Sequence, residues 1–126
     1  MKALSNVTVL ITEDEPVVRA FARLVVQESG HRSLEAASVE EALALIKSDR
    51  AIDVLFTDIN LRPLAHGGLE LAREAIKVRG GLRIIYTTGK ILTEEMRAMF
   101  VDGATLLPKP YTARSLTETL ASTLQG

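Results

Sequence analysis

Apolar positions in this chain fall into two alternating patterns. Short runs, Val7 to Thr12, Asp53 to Thr57, Arg83 to Thr87 and Ala104 to Pro108, read as strands, and a further strand follows near Arg32 to Ala36. The unbroken apolar stretch Val7-Thr-Val-Leu-Ile suits a strand buried on both faces. Between these runs, apolar residues recur at helical spacing. Glu15-Pro16 opens a first helix, Pro being suited to the first turn, with Val18, Phe21, Ala22 and Val25 on one face until Gly30. Ser38-Val-Glu-Glu41 is a capping-box pattern, in which Ser38 and Glu41 satisfy orphan amides reciprocally ahead of an apolar face of Val39, Ala42, Leu43 and Ile46. Asn60 to Gly68, with Pro63 and two glycines, reads as a loop, and the spacing predicts a third helix from Leu69 to Val78, stopped by Gly80-Gly81. Thr93 can cap a fourth helix carrying Met96, Met99 and Phe100, after which Asp102-Gly103 turns the chain back. Thr112 caps a last helix through Leu116, Leu120 and Leu124, with Gly126 just beyond it. Pro108 cannot donate to a ladder, which places the fifth strand at a sheet edge. Five strands alternating with five helices imply right-handed crossovers and a doubly wound α/β fold, a parallel sheet covered on both faces.

Length and composition agree with one such domain spanning residues 1–126. The 126 residues are 47% hydrophobic with only three Phe and two Tyr, so the core must be built from Leu, Ile, Val and Ala. A chain of this size buries roughly two thirds of its unfolded surface. Fifteen Lys plus Arg against sixteen Asp plus Glu give a net charge of −1, without the basic excess that binding a phosphate backbone requires, so no direct nucleic-acid contact is expected. The absence of cysteine excludes disulfides and thiol chemistry, and His31 and His66 alone make no structural zinc site. No apolar run approaches the ~20 residues that span a bilayer. Met1 to Ser5 lead directly into a strand pattern rather than a signal-peptide apolar region. A cytoplasmic protein without membrane contact is therefore expected. Met1 and the clean ends favour a stand-alone protein over a piece of a longer one.

The chemistry is concentrated where strands end. Val7 to Thr12 runs into Glu13-Asp14, Asp53 to Thr57 into Asp58, Ile84 to Thr87 into Thr88, and Thr105 to Pro108 into Lys109. In an open parallel sheet, ligands bind beyond the carboxyl ends of the strands, where strand order reverses, so these residues would converge on one crevice. Taken singly, each has a plain structural alternative. Glu13, Asp14 and Glu15 can simply cap the next helix, and Asp58 can cap a buried loop. Taken together, Glu13, Asp14 and Asp58 would repel one another pairwise by about 1 to 4 kcal/mol at 4 Å, depending on the effective dielectric, and so call for a cation. Hard carboxylate, carbonyl and water oxygens in octahedral geometry describe Mg²⁺, which keeps open positions for phosphate oxygens. With Lys109 added the site comes close to neutrality. If Asp58 became an acyl phosphate, the metal, Lys109, the Thr88 hydroxyl and nearby amides could share the phosphoryl oxygens.

Glu13-Asp14-Glu15-Pro16, Asp53-Val-Leu-Phe-Thr-Asp58-Ile-Asn60, Thr88-Gly89 and Lys109-Pro110-Tyr111 stand in the order and near the spacing of a known family. Over essentially its whole length the chain resembles the receiver domain of bacterial two-component response regulators. The resemblance implies a flavodoxin-like sheet of strand order 2-1-3-4-5. It makes Asp58 the phosphoacceptor, Asp14 a direct Mg²⁺ ligand, Glu13 a ligand through water, and Asn60 a ligand through its backbone carbonyl. Thr88 corresponds to the switch hydroxyl and Lys109 to the lysine that pairs with the phosphoryl group. It also implies a cis Lys109-Pro110 bond, a histidine kinase or histidine phosphotransfer protein as donor, and an unnamed downstream protein target. Activation would be relayed to the face around the fourth helix, fifth strand and fifth helix.

The chain departs from the family pattern in three places. Glu13 replaces the usual Asp. The loop from Asn60 to Gly68 is about two residues longer and carries Arg62 and His66, of which His66 is expected to be simply solvated. Leu106 stands where a rotating aromatic is usual, and reads as a core residue of an edge strand. A subgroup of stand-alone receivers instead has a tyrosine after the Thr-Gly, but that place is Lys90 here. Two other readings compete. A haloacid-dehalogenase-like phosphatase uses similar residues, but there the nucleophile follows the first strand and the acidic pair comes late. An interaction module independent of phosphorylation would not need the complete set Glu13, Asp14, Asp58, Thr88 and Lys109.

Overall fold

Strands β1 (Thr8–Thr12), β2 (Arg32–Ala36), β3 (Val54–Asp58), β4 (Arg83–Thr88) and β5 (Thr105–Pro108) form one parallel sheet in the order β2-β1-β3-β4-β5. The structure is a computed structural model that describes residues 6–125. The reading of Met1–Ser5 as lacking a signal segment and of Gly126 as a helix stop lie outside those residues. Helices α1 (Pro16–Glu28), α2 (Val39–Ile46), α3 (Gly67–Val78), α4 (Glu94–Ala98) and α5 (Ala113–Gln125) alternate with the strands, the flavodoxin-like doubly wound arrangement. The chain reverses its direction of growth between β1 and β3, and β5 lies at the edge where Pro108 requires no partner.

Period-two alternation divides the sheet into two cores. Leu10, Leu55, Ile84 and Tyr86 face α2, α3 and α4, meeting Ala42, Ile46, Leu69, Ala72 and Met96. Val9, Ile11, Val54, Phe56 and Ile85 face α1 and α5, meeting Ala22, Val25, Val26, Leu116, Leu120 and Leu124. Every residue of β1 and β3 is buried, which is why these strands read as nearly continuous apolar runs. Each such aliphatic side chain contributes about 1.5 to 3 kcal/mol relative to exposure. Among the described residues no helix is long and apolar enough to cross a membrane.

Local sequence sets the helix ends. Gly30 adopts φ +90° past α1, and its N–H donates to the Gln27 carbonyl at 3.0 Å while that of His31 reaches Val26 at 3.2 Å. Thr93 Oγ1 accepts from the Met96 N–H at 3.1 Å, and Thr112 Oγ1 from the Ser115 N–H at 3.0 Å. The box ahead of α2 is displaced by one residue. Ser38 Oγ accepts from the Glu41 N–H at 3.1 Å, but Glu41 Oε1 accepts from the Ala37 N–H at 2.7 Å rather than from Ser38.

Two helix boundaries differ from expectation. Helix α3 starts at Gly67, not Leu69, because the loop end lies against the end of β3: the Gly68 N–H donates to the Ile59 carbonyl at 2.8 Å. A Cβ at Gly68 would lie 1.9 Å from the Asp58 carbonyl oxygen, so only glycine permits this approach. Helix α4 stops at Ala98 and leaves Phe100 outside it. There the Val101 N–H donates to the Tyr86 hydroxyl at 3.2 Å, and the Phe100 ring lies 4.5 Å from that of Tyr86. The Lys109-Pro110 peptide is cis as expected, and Arg62-Pro63 is cis as well.

Gly68→Ala is expected to cost about 2 to 4 kcal/mol, since backbone rather than a flexible side chain must give way. Denaturant unfolding checks this through a lower midpoint at unchanged slope.

Candidate functional site

Parallel register lines up the chemistry at the head of the sheet. Thr12 is level with Thr57, Asp58 with Thr87, and Thr88 with Pro108. Glu13 and Lys109 therefore follow directly on β1 and β5, while Asp58 and Thr88 end β3 and β4. Lys109 Nζ donates to Asp58 Oδ2 at 2.6 Å and pairs with Glu13 Oε1 at 2.8 Å. The second oxygen of each carboxylate is also held. Asp58 Oδ1 accepts from the Asn60 N–H at 2.8 Å, and Glu13 Oε2 from the Glu15 N–H at 3.2 Å. Arg19 Nη1 donates to the Glu13 carbonyl at 2.8 Å, fixing the backbone at the turn into α1.

Burial gives this cluster its electrostatic character. Glu13 is 3% and Asp58 6% exposed. Burial pushes the Glu13 carboxyl above the usual glutamate range, the Asp58 charge acts in the same direction, and the hydrogen bond from Lys109 opposes both. For Lys109 burial favours the neutral amine, but the bonds to Asp58 and Glu13 outweigh it and hold the ammonium well above its ordinary value. The next side chains form an apolar wall: Tyr111 packs 6.0 Å from Phe21 and 5.7 Å from Phe56, ring to ring. Burial first, and then the Glu13 charge, pushes the Tyr111 phenol up to about 12.

Asp14 lies on the other side of the cluster and has a partner that sequence reasoning left unassigned. Its Oδ2 accepts from both the Arg62 N–H, at 3.0 Å, and Arg62 Nε, at 2.9 Å. Burial works upward on the Asp14 carboxyl, but these two bonds and the guanidinium charge carry it below the usual aspartate range. The loop that brings Arg62 here is anchored by Leu61, 1% exposed, and closed by the Leu64 N–H donating to the Leu61 carbonyl at 2.8 Å. The signal for this contact was the longer loop with a cation four residues past Asp58. Without the loop's path, nothing pointed that cation at Asp14 rather than at solvent. His66 is exposed, as expected.

Asn60 braces the same loop. Its Nδ2 donates to the Ala65 carbonyl at 2.6 Å, and its Oδ1 accepts from the Thr88 hydroxyl at 2.8 Å. Thr88 Oγ1 in turn accepts from the Lys90 N–H at 3.1 Å. The expected switch hydroxyl is thus held by Asn60, at one side of the Lys109 network. Leu106 is half-buried, level with Tyr86 on β4, and packs on the α3/α4 side of the sheet, consistent with its reading as a core residue.

Asp14, Asp58, Asn60, Arg62, Lys90 and Lys109 line an open cleft of about 370 Å³. One carboxylate oxygen from each of Glu13, Asp14 and Asp58 lies within 4.8 Å of the others. No backbone or side-chain donor occupies the Asn60 carbonyl among the described residues. A set of hard oxygens this close fits a small divalent cation. Lys109 and Arg62 are the cations it would share them with.

Residues 9–121 match the family described as the response regulator receiver domain. The chain is 29% identical over 122 residues to the sensor kinase CckA of Brucella abortus, covering 95% of this chain and 13% of that protein. It is 34% identical over 106 residues to a protein-glutamate methylesterase/protein-glutamine glutaminase of Hahella chejuensis, covering 81% of this chain and 30% of that one. The chain thus spans less than a third of the length of either relative. A crystal structure of a response regulator receiver protein from Sinorhizobium medicae superposes with a TM-score of 0.86 at 26% identity, covering 96% of both chains. With its strand order, its acidic cluster and the bridging lysine all at the head of the sheet, the chain belongs to the receiver domains of two-component response regulators.

Proposed function

We propose that residues 1–126 form one phosphoacceptor domain, in which Asp58 takes a phosphoryl group from a phosphohistidine and returns it to water. The observation that carries this reading is the Lys109 ammonium bonded to both Asp58 and Glu13 at the edge of an open cleft. An Asp58 carboxylate oxygen attacks phosphorus as the phosphorus–nitrogen bond of the donor breaks. The imidazole leaves with that electron pair and takes up a proton, and Asp58 becomes an acyl phosphate. Mg²⁺ held by Asp14, Asp58, the Asn60 carbonyl and, through water, Glu13 would supply positive charge to the phosphoryl oxygens as they change partners.

The protein's own groups have distinct tasks. Lys109 exchanges its carboxylate partner for a phosphoryl oxygen, so its charge stays paired throughout. The Asn60 N–H, already on Asp58 Oδ1, keeps the carboxylate in one rotamer. Thr88 must give up its bond to Asn60 to donate to the phosphoryl group, which couples the end of β4 to phosphorylation. The donor would be a histidine kinase or histidine phosphotransfer protein in the cytoplasm, and the output a separate protein that reads the altered surface. The domain assists its own phosphorylation and dephosphorylation but is not otherwise an enzyme. A haloacid-dehalogenase-like phosphatase is disfavoured, because the acidic pair follows β1 and Asp58 ends β3.

Incubation with a small acyl phosphate and Mg²⁺ should add the mass of one phosphoryl group to the parent and none to Asp58→Asn, as read by intact mass spectrometry. Equal labelling of both would overturn the assignment.

Mg²⁺ alone should raise the melting temperature. At roughly a hundredfold excess over its dissociation constant, binding to the folded state contributes about 2.7 kcal/mol. Asp14→Ala is expected to lose that shift, and an unchanged response in thermal unfolding would remove Asp14 from the ligand set.

Phosphorylation should reach the α4-β5-α5 face through Thr88 and Lys109, with Leu106 at most filling the space Thr88 vacates. Backbone amide shifts with a phosphoryl mimic and Mg²⁺ are expected across residues 90–116. Changes confined to residues 60–68 would send the signal out by another route.

A further inference from the structure

We propose that Arg62 is an internal cation that competes with the divalent metal for Asp14, so that this domain takes up metal only against its own guanidinium. The inference rests on the metal-dependent phosphoacceptor reading and concerns a residue to which that reading gives no role. Two donors of the same residue, the Arg62 N–H at 3.0 Å and Nε at 2.9 Å, converge on Asp14 Oδ2. The position is built into the loop, because buried Leu61 and the Leu61–Leu64 hydrogen bond hold the backbone of Arg62 against the cleft. The partners are unequal in exposure: the Asp14 side chain is 14% exposed, while that of Arg62 is 76% exposed. The guanidinium can therefore leave into water at little cost, whereas the less exposed carboxylate gains more from a cationic partner.

Charge decides the direction of the effect. Glu13 and Asp58 already share Lys109, so Asp14 is the carboxylate of the three that a metal would otherwise find without a cationic partner. A cation arriving within reach of all three carboxylates either displaces the guanidinium or sits beside it and is repelled. Both weaken metal binding relative to the same cleft without Arg62. Asp14 remains paired while the metal is away, so the metal-free cleft is not strongly self-repelling. Asn60 lies two residues before Arg62 and accepts from Thr88, so a loop that lets Arg62 go also bears on the Asn60–Thr88 bond.

Isothermal titration of Mg²⁺ into the parent, Arg62→Gln and Arg62→Lys tests this without any phosphoryl donor. Arg62→Gln should bind about three- to tenfold more tightly than the parent, because it removes the charge while the backbone donor stays. Arg62→Lys keeps the charge and should stay within about twofold of the parent. Unchanged or weaker binding by Arg62→Gln would overturn the inference, and would make Arg62 a residue that positions Asp14, while leaving the metal reading intact. Absence of binding by all three proteins would overturn this inference and the metal-dependent part of the proposed function together.

Discussion

The ammonium of Lys109 is the interaction on which the head of the sheet depends. Glu13 and Asp58 come from neighbouring strands and are almost fully buried, so as ionised neighbours at about 4 Å they would repel by about 4 kcal/mol at an effective dielectric of 20. Lys109 bonds to both, which makes the three charges mutually satisfied where each alone would be costly to bury. The bridge spans the sheet, since β5 is separated from β3 by β4 and from β1 by both. A long unbranched side chain is needed for that reach. Gly89 lies along its path, where a methyl group would come 3.7 Å from the Lys109 Cβ.

Around this bridge the site is divided into two halves that differ in burial. Glu13, Asp58, Lys109 and the aromatic wall of Phe21, Phe56 and Tyr111 belong to the side covered by α1 and α5. Asp14, Asn60 and Arg62 belong to the loops, and their hydrogen bonds, including the one Asn60 accepts from Thr88 at the end of β4, run through at least one exposed or half-buried group. Hydrogen bonds of the second kind exchange with water at low cost, so they are the ones that can differ between states. The bridge fixes where a phosphoryl group would be received, and the Asn60 and Arg62 contacts are those that its arrival could rearrange.

The absence of an aromatic at Leu106 has a structural counterpart one strand away. Tyr86 is fully buried, level with Leu106, packed at a tilt against Phe100 and hydrogen-bonded to the Val101 N–H. An aromatic so enclosed cannot swing between solvent and core without dismantling the end of α4. Any change passed to this face must therefore move backbone or the Thr88 side chain rather than flip a ring.

Much of the molecule was legible in the residues. Continuous β-branched runs gave the buried parallel strands, the helical periodicity gave five helices, and Pro108 gave the sheet edge, because each of these reflects local sterics or burial of a single element. The convergence of Glu13, Asp14, Asp58 and Lys109 was readable for a similar reason: residues that follow parallel strands must meet at one end of the sheet. What the residues could not disclose depends on paths through space. Gly68 looks like loop until Asp58 is placed 1.9 Å from where its Cβ would be, and only then does α3 begin two residues early. Thr88 could have faced the Lys109 network or Asn60, and the loop geometry chose Asn60. Arg62 looks like a solvated cation in a lengthened loop, since nothing local to it specifies a partner 48 positions away. Its contact with Asp14 exists because a buried leucine beside it holds the loop against the sheet, and such long-range placement is decided by tertiary packing alone.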